Sequence, residues 1–292
     1  MKKKVWLTII SLFVSINIII VAFVWYKADD LFNEMNSGVD LPLQTIGEVN
    51  LKQKEPISIL LIGVDARPND KGRSDTVMLM NLNPKEKKGM LISLPRDLYV
   101  NIKPSNTMDK LNHAYAFHGV QGTVATVENF LDITIDQVAV IDMDGFKKAT
   151  DIFGDIKVDN KFEFTSGKYT FPKGEQYLSG DELLAYVRMR KEDPLGDFGR
   201  QERQREVVLA FKEQLDKNIS LKSLNQIKNL FGENIVTTLS LSDSINLISN
   251  YNDAFKSIEE VSLQGEGKKA SDGIYYWYAD ENQIRQLKNE LN

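Results

Sequence analysis

The chain has 292 residues, 42% hydrophobic and 26% charged, the balance of a globular protein able to bury a sizeable core. Its formal net charge of −5 argues against a general nucleic-acid binder. The absence of cysteine excludes disulfides, thiolate nucleophiles and thiolate metal sites.

Residues 5–26 form an almost unbroken apolar run, with Asn17 its main polar exception. At about 1.5 Å per residue, a helix over this run crosses a hydrocarbon core of about 30 Å. Trp6, Trp25 and Tyr26 lie at its ends, where interfacial aromatics belong. Lys2, Lys3 and Lys4 precede it, whereas Lys27 is followed by Asp29 and Asp30. This charge bias puts residues 1–4 in the cytoplasm as a short tail, 5–26 across the membrane as a single-pass anchor, and the rest outside the cell. A cleaved signal peptide is the competing reading, but its apolar region is shorter, and Tyr26-Lys27-Ala28 is a poor cleavage site. Residues 27–55 are polar and weakly patterned, and read as an extracellular linker to a domain spanning 56–292.

The domain opens with Ile-Ser-Ile-Leu-Leu-Ile-Gly-Val at 57–64, a dense apolar run of the kind that forms a buried strand. Asp65 follows directly, and an acidic side chain at the carboxyl end of a central strand lines the ligand crevice of an open α/β sheet. After a loop at 67–72, strands are expected at 76–82 and 90–94. Arg73 and Asp75 thus stand before one strand, and Arg96 and Asp97 just past the other. Two carboxylates from adjacent strands suit one Mg2+, a hard cation that shares phosphate oxygens and keeps several waters, with arginines taking the remaining phosphate charge. The plainer alternative is that Arg73–Asp75 and Arg96–Asp97 are ion pairs or turn caps.

Apolar residues at Val120, Val124, Val127, Phe130 and Leu131 predict a helix over 119–131. A strand at 137–141 and a helix at 145–153 follow, and alternating Phe162, Phe164, Tyr169 and Phe171 around Ser166-Gly167 predict a hairpin. Helices are expected at 178–187, 200–215, 220–231, 242–255 and 280–291, with strands at 258–263 and 274–278. Strands and helices interleave throughout, so the fold class is α/β, a single domain with a mixed central sheet flanked by helices.

Between two of these helices lies the most unusual stretch, 186–205, which gathers Arg188, Arg190, Lys191, Arg200, Arg203 and Arg205 around Pro194, Gly196 and Gly199. A guanidinium presents a planar fork of donors that matches phosphate, and a helix N-terminus adds its positive end. Asp197 is expected to cap the helix beginning near Gly199. In extended backbone Arg188 and Arg190 project to one side, and Arg200 shares a helical face with Arg203 or Gln204. A solvated charged helix is the alternative, since Glu192, Asp193, Glu202 and Glu206 neutralise much of the charge.

Other motifs carry less. His113 and His118 are a poor metal pair by their spacing and suit surface or hydrogen-bonded structural roles. Tyr275-Tyr276-Trp277-Tyr278 reads as sheet packing against helices, with glycan stacking as a minor alternative. No Gly-x-Ser-x-Gly elbow supports seryl chemistry.

Several motifs fall in one order: Leu-Ile-Gly-Val-Asp65, Gly72-Arg73-Ser74-Asp75-Thr76, Ser93-Leu94-Pro95-Arg96-Asp97, Asp109-Lys110-Leu111-Asn112-His113-Ala114-Tyr115, Val187-Arg188-Met189-Arg190 and Gly196-Asp197-Phe198-Gly199-Arg200-Gln201. This succession resembles the LytR–CpsA–Psr family, in particular its wall teichoic acid transferases of Gram-positive bacteria. The resemblance implies a phosphotransferase that moves a glycopolymer from a polyprenyl-pyrophosphate carrier in the membrane to a hydroxyl of peptidoglycan. It implies Mg2+ (or Mn2+) bridging the pyrophosphate and the aspartates that match Asp65 and Asp75. Arg73, Arg96, Arg188, Arg190 and Arg200 are implied to clamp the diphosphate, and Arg203 and Gln204 are grouped with them as substrate ligands. Asp97 and Asp197 fall at family motif positions, where each either orients an arginine or accepts the acceptor's proton. The family also implies an apolar tunnel for the lipid between sheet and helices, and a place on the Gram-positive cell surface. Two rival functions use the same residues: a membrane-bound sensor that binds prenyl phosphates without transfer, and a lipid pyrophosphatase with water as acceptor.

Overall fold

The computed structural model describes residues 49–65, 72–218, 234–271 and 273–292. The expected anchor at 5–26, most of the linker, the loop at 67–71 and the helix at 220–231 lie outside the described residues. Among those described, no helix is long and apolar enough to cross a membrane. The folded unit takes in the last residues of the segment read as linker. Leu51, in a short 3-10 turn, is buried, and the side chains of Asn250 and Tyr251 donate hydrogen bonds to the carbonyls of Leu51 and Glu55.

The first half of the domain runs β1 (Ile57–Asp65), β2 (Arg73–Asn83), β3 (Lys88–Leu94), β4 (Tyr99–Ile102), β5 (Thr107–Lys110), α1 (Leu111–Leu131), β6 (Gln137–Asp142) and α2 (Met143–Phe153). The middle holds β7 (Ile156–Asn160), β8 (Phe164–Ser166), β9 (Tyr169–Phe171), β10 (Gly174–Leu178), α3 (Gly180–Arg188) and α4 (Asp197–Asn218). The chain ends with β11 (Ile235–Thr237), α5 (Leu241–Asn250), α6 (Asn252–Lys256), β12 (Ile258–Ser262), β13 (Gly265–Lys269), β14 (Tyr275–Ala279) and α7 (Glu281–Leu291). Among the described residues the central sheet has the order β11-β6-β1-β2-β3-β12. It is mixed: β1 pairs parallel with β6 and β3 with β12, and the other neighbours are antiparallel.

Both faces of this sheet are covered, which is why its strands read as continuous apolar runs. Side chains alternate across the pleat. Leu60, Ile62 and Val64 of β1, with Val77, Leu79, Ile92 and Leu94, pack against α1 and α7. Ile57 and Ile59, with Met78, Met80 and Leu91, face α5, α6 and the Val208–Leu209 turn of α4. A third cluster joins β7 to β10 with α3 and α4 around Phe164, Phe171 and Tyr186.

Three expectations change. Helix α1 begins at Leu111 and bends at Gly119 (φ 63°, ψ −152°), because the polar and aromatic residues Asn112, His113, Tyr115 and His118 hide the apolar rhythm of its first turns. The aromatic strand β14 pairs with β13 in a separate ribbon instead of closing the central sheet. Asp197 lies within the first turn of α4 and is not its cap.

Two polar devices hold this frame. At the amino ends of β1 and β6, Ser58 and Asp136 exchange backbone bonds: the Ser58 N–H donates to Asp136 Oδ2 (2.7 Å) and the Asp136 N–H to the Ser58 carbonyl (2.9 Å). Burial lifts the Asp136 carboxyl to about 6, the Ser58 N–H opposes the shift, and nearby Glu128 adds to it. Between α3 and α4, Arg203 Nε donates to the Tyr186 carbonyl (3.1 Å), while its other nitrogens reach Asp193 and the Met189 carbonyl. Asp193 Oδ1 accepts the Leu195 N–H (2.7 Å), and a Cβ on Gly199 would lie 2.0 Å from Asp193 Oδ2, so the helix approaches this close only because residue 199 is glycine. Arg205 ties α4 to β12 and β3 through Glu260 (3.1 Å) and Ser93 (2.9 Å).

These devices predict two stability effects. A folded carboxyl raised to about 6 favours the native state fully below the unfolded value near 4, and that contribution is lost as pH rises through 6. Asp136→Asn keeps an acceptor for Ser58, so denaturant titration is expected to show a gain of about 1–3 kcal/mol at pH 7 that vanishes at pH 4. Arg203→Ala leaves the Asp193 carboxylate, whose side chain is 2% exposed, without its cation. A loss of about 3–5 kcal/mol is expected, whereas Arg190→Ala, at an exposed position, changes stability by under about 0.5 kcal/mol.

Candidate functional site

The carboxyl end of β1 is where the charged motifs meet. Asp65 ends the strand and lies opposite Arg73 at the start of β2. The register then slips: Val64 pairs with Ser74 but Gly63 pairs with Thr76, so Asp75 is the extra residue of a β-bulge. A bulge re-aims the side chain it carries, and here it turns a carboxylate from the middle of the ladder toward the strand end. Gly63 allows the tight pairing beside it, since a Cβ there would lie 3.0 Å from the Thr76 Cβ.

Each carboxylate is matched with a cation, for Asp65, Asp75 and Asp97 one brought from elsewhere in the fold and for Asp197 one from its own helix. Asp65 Oδ2 meets Arg188 Nη2 at 2.8 Å, from the carboxyl end of α3. Asp75 Oδ1 meets Arg96 Nη1 at 2.8 Å, from the turn after β3. Asp97 lies between Lys110 Nζ (2.7 Å) and Arg96 Nε (3.7 Å). Asp197 Oδ1 lies 2.8 Å from Arg200 Nη2, and its Oδ2 accepts a hydrogen bond from Gln201 Nε2 (3.2 Å). Met189, in extended backbone just past α3, is buried between exposed Arg188, the last residue of that helix, and exposed Arg190.

The electrostatics join these pairs into one cluster. Burial works against the Arg96 guanidinium, but Asp75, then Asp197 and Asp97, outweigh it and hold Arg96 more firmly charged. Burial pulls the Arg200 guanidinium down; Asp197 and Asp75 counter it, and Arg96 and Arg190 add to the depression. Arg73, Arg96, Lys110, Arg188, Arg190 and Arg200 outnumber Asp65, Asp75, Asp97 and Asp197 by two. Buried polar atoms without a hydrogen-bond partner also gather here: Ser74 Oγ, Asn112 Oδ1, Arg200 Nε, Gln201 Oε1 and Trp277 Nε1. Buried polar atoms are otherwise almost always satisfied, so their concentration at one place marks a site that a polar ligand completes.

Arg96, Asp97, Arg188, Asp197 and Arg200 are thus linked to Asp65 and Asp75 by these pairs and fields, Arg190 acts on Arg200 through its charge, and Arg73 stands opposite Asp65 in the strand pairing. Arg203 is the correction. Its nitrogens are committed to Tyr186, Asp193 and Met189, so it positions the loop carrying Arg190 and does not face the crevice. Gln204 lies partly buried on α4, and the glutamine that reaches Asp197 is Gln201. Lys110 was visible in its motif, but only the β4–β5 hairpin, missed in the sequence, reveals its partner Asp97. His113 Nδ1 pairs with Asp109 (2.7 Å), the hydrogen-bonded role expected of it.

Among the described residues, Asp65 Oδ1 and Asp75 Oδ2 have no hydrogen-bond or ion-pair partner once the arginines are counted. Among the described residues, no three His, Cys, Asp or Glu side chains converge on a common metal position. Two carboxylate oxygens without a full protein cage fit a cation that draws its remaining ligands from phosphate and water.

Comparison with known proteins agrees with this geometry. The LytR_cpsA_psr family model matches residues 23–292. The polyisoprenyl-teichoic acid–peptidoglycan teichoic acid transferase TagU of Bacillus subtilis is 41% identical over 272 residues, 92% of this chain and 88% of that protein. A solved structure from Enterococcus faecalis, described as a transcriptional regulator, superposes with a TM-score of 0.75 at 39% identity, covering 84% of this chain and 89% of that one. A structure of TagT bound to LI-WTA superposes with a TM-score of 0.69 at 34% identity, covering 84% and 92% respectively. With the family model matched over residues 23–292 and these relatives alike in sequence and fold, the chain belongs to the LytR–CpsA–Psr family.

Proposed function

We propose that this protein transfers a phosphate-linked glycopolymer of the wall teichoic acid class from a polyprenyl-pyrophosphate carrier to a hydroxyl of peptidoglycan. The observation that carries the proposal is the excess of two cations over carboxylates at the end of β1. A pyrophosphate esterified at both ends carries about two negative charges, which that excess balances. The printed names of the relatives, TagU as a transferase and TagT with LI-WTA, point the same way.

In the transfer, the acceptor hydroxyl oxygen bonds to the phosphorus that bears the glycan, and the bond from that phosphorus to the bridging oxygen breaks. The electron pair leaves with the lipid monophosphate, and the hydroxyl proton passes by way of a carboxylate to the leaving phosphate. Both Asp97 oxygens are committed to Lys110 and Arg96, so Asp97 orients those cations. Asp197 faces one cation and a neutral amide that can give way, so it is assigned the proton. Exposed Arg73, Arg188 and Arg190 meet the incoming phosphates. Arg96 and Arg200 are held by their aspartates and face the charge that builds on the bridging oxygen, where preorganised donors matter most. The cofactor in this proposal is Mg2+ or Mn2+, held by Asp65 and Asp75, which neutralises phosphate charge when bound. A membrane anchor at 5–26, with the domain outside the cell, confines enzyme and lipid donor to one surface and raises their effective concentration.

The full chain in detergent, given a lipid-pyrophosphate glycan and Mg2+, is expected to release lipid monophosphate. Arg96→Ala and Arg190→Ala are expected to lower kcat/KM at least about 100-fold, with Arg190→Ala keeping the wild-type melting temperature. Chelation is expected to stop release and added Mg2+ to restore it. Undiminished turnover in both variants would overturn the assignment of this crevice as the transfer site, and no release by the wild-type chain would favour binding without transfer.

A further inference from the structure

The aromatic face of β14 beside this crevice has no role in the transfer chemistry. Along the strand, Tyr276 and Tyr278 turn one way and pack on Tyr99, with ring centroids 4.8 and 5.1 Å away. Tyr275 and Trp277 turn the other way. The backbone N–H of Trp277 donates to the Asp97 carbonyl (2.8 Å), and its ring meets Phe198, next to Asp197, edge-on at 4.6 Å. The Tyr275 face of the ribbon is therefore a wall of the charged crevice.

Tyr275 is 44% exposed and belongs to none of the hydrophobic clusters. Its ring lies across β13 at Gly267, where a Cβ would fall 1.9 Å from the phenol oxygen. A glycine in a strand often marks a place where another group approaches closely, and here its bareness lets the ring lie against the ribbon with one face open. The phenol is held protonated by partial burial and by the fields of Asp97 and Asp197, with Arg190 opposing.

We infer that the open face of Tyr275 is a stacking platform for a pyranose ring of the acceptor glycan, setting a sugar hydroxyl beside Asp97, Asp197 and Arg190. The inference rests on the transfer function proposed above. An aromatic face is negative at its centre and attracts the weakly positive C–H face of a sugar, while it repels phosphate. A polyprenyl chain gains little beside three charged side chains. Of the chemical classes in the reaction only a sugar matches both the ring and its charged neighbours, and the acceptor is the sugar whose reacting hydroxyl must come beside Asp197.

The test uses the full chain and a soluble, uncross-linked peptidoglycan oligosaccharide, with Kd measured by calorimetry and, separately, transfer and acceptor-free release of lipid monophosphate. Tyr275→Ala is expected to weaken Kd and raise the acceptor KM about tenfold, with kcat and acceptor-free release within about twofold of wild type. Tyr275→Phe keeps the ring and is expected to bind within about threefold of wild type. A Kd unchanged by Tyr275→Ala overturns the platform, as does an equal loss of acceptor-free release. Wild-type protein that binds the oligosaccharide through Tyr275 yet releases no lipid monophosphate sinks the transferase function and supports the platform.

Discussion

Cations gather in one crevice only if something holds each of them against the others. In this domain the holding is done by carboxylates, one for each of four cations: Asp75 for Arg96, Asp65 for Arg188, Asp97 for Lys110 and Asp197 for Arg200. Without these pairings the guanidinium groups would turn outward to water, and a ligand's charge would have to reorganise the site before using it. Among the described residues, the same pairings leave one oxygen on Asp65 and one on Asp75 without a partner. On the proposed function, these are the oxygens that would take a cation while the arginines take an anion.

The sheet and its helices convert that local balance into a fixed shape. The bulge at Asp75 takes one residue out of the ladder beside Asp65, and parallel pairing of β1 with β6 opens the carboxyl ends of both strands to one side. Arginines in the 186–205 stretch divide into two kinds. Arg188, Arg190 and Arg200 serve the crevice, whereas Arg203 and Arg205 are struts joining α4 to the α3–α4 loop and to the sheet edge. A strut arginine suits a position where several carbonyls need donors at once, because its five N–H groups fan out in one plane.

The β13–β14 ribbon adds a surface of different character. Its inward aromatics, Tyr276 and Tyr278, anchor it through Tyr99, and Trp277 joins it to Asp97 and Phe198. The ribbon is thus fixed relative to the charges, and an acceptor resting on Tyr275 would inherit that alignment. Positioning of this sort counts heavily in phosphoryl transfer, where the protein does little covalent work.

Much of this was legible in the order of residues alone. The apolar runs at 57–64, 76–82 and 90–94 declare buried strands because both faces of the sheet are covered, and Asp65, Asp75 and Arg96 stand out as charge at the ends of such runs, as Arg190 and Arg200 do in the arginine-rich stretch at 186–205. Short or half-polar elements were not legible: β5, β10 and β13 bury too few side chains to leave a pattern, and β4 and β7 are too short for their alternation to stand out. Nor was the difference between Arg200 and Arg203, three residues apart on one helix, since spacing reports which face a side chain shares and not what waits opposite it. Composition and periodicity decided where charge and core would lie along the chain. Which carboxylate holds which cation, which arginine is a strut, and that Tyr275 borders the crevice were decided by contacts between residues as far apart as Asp65 and Arg188, and such long-range contacts exist only once the chain has closed on itself.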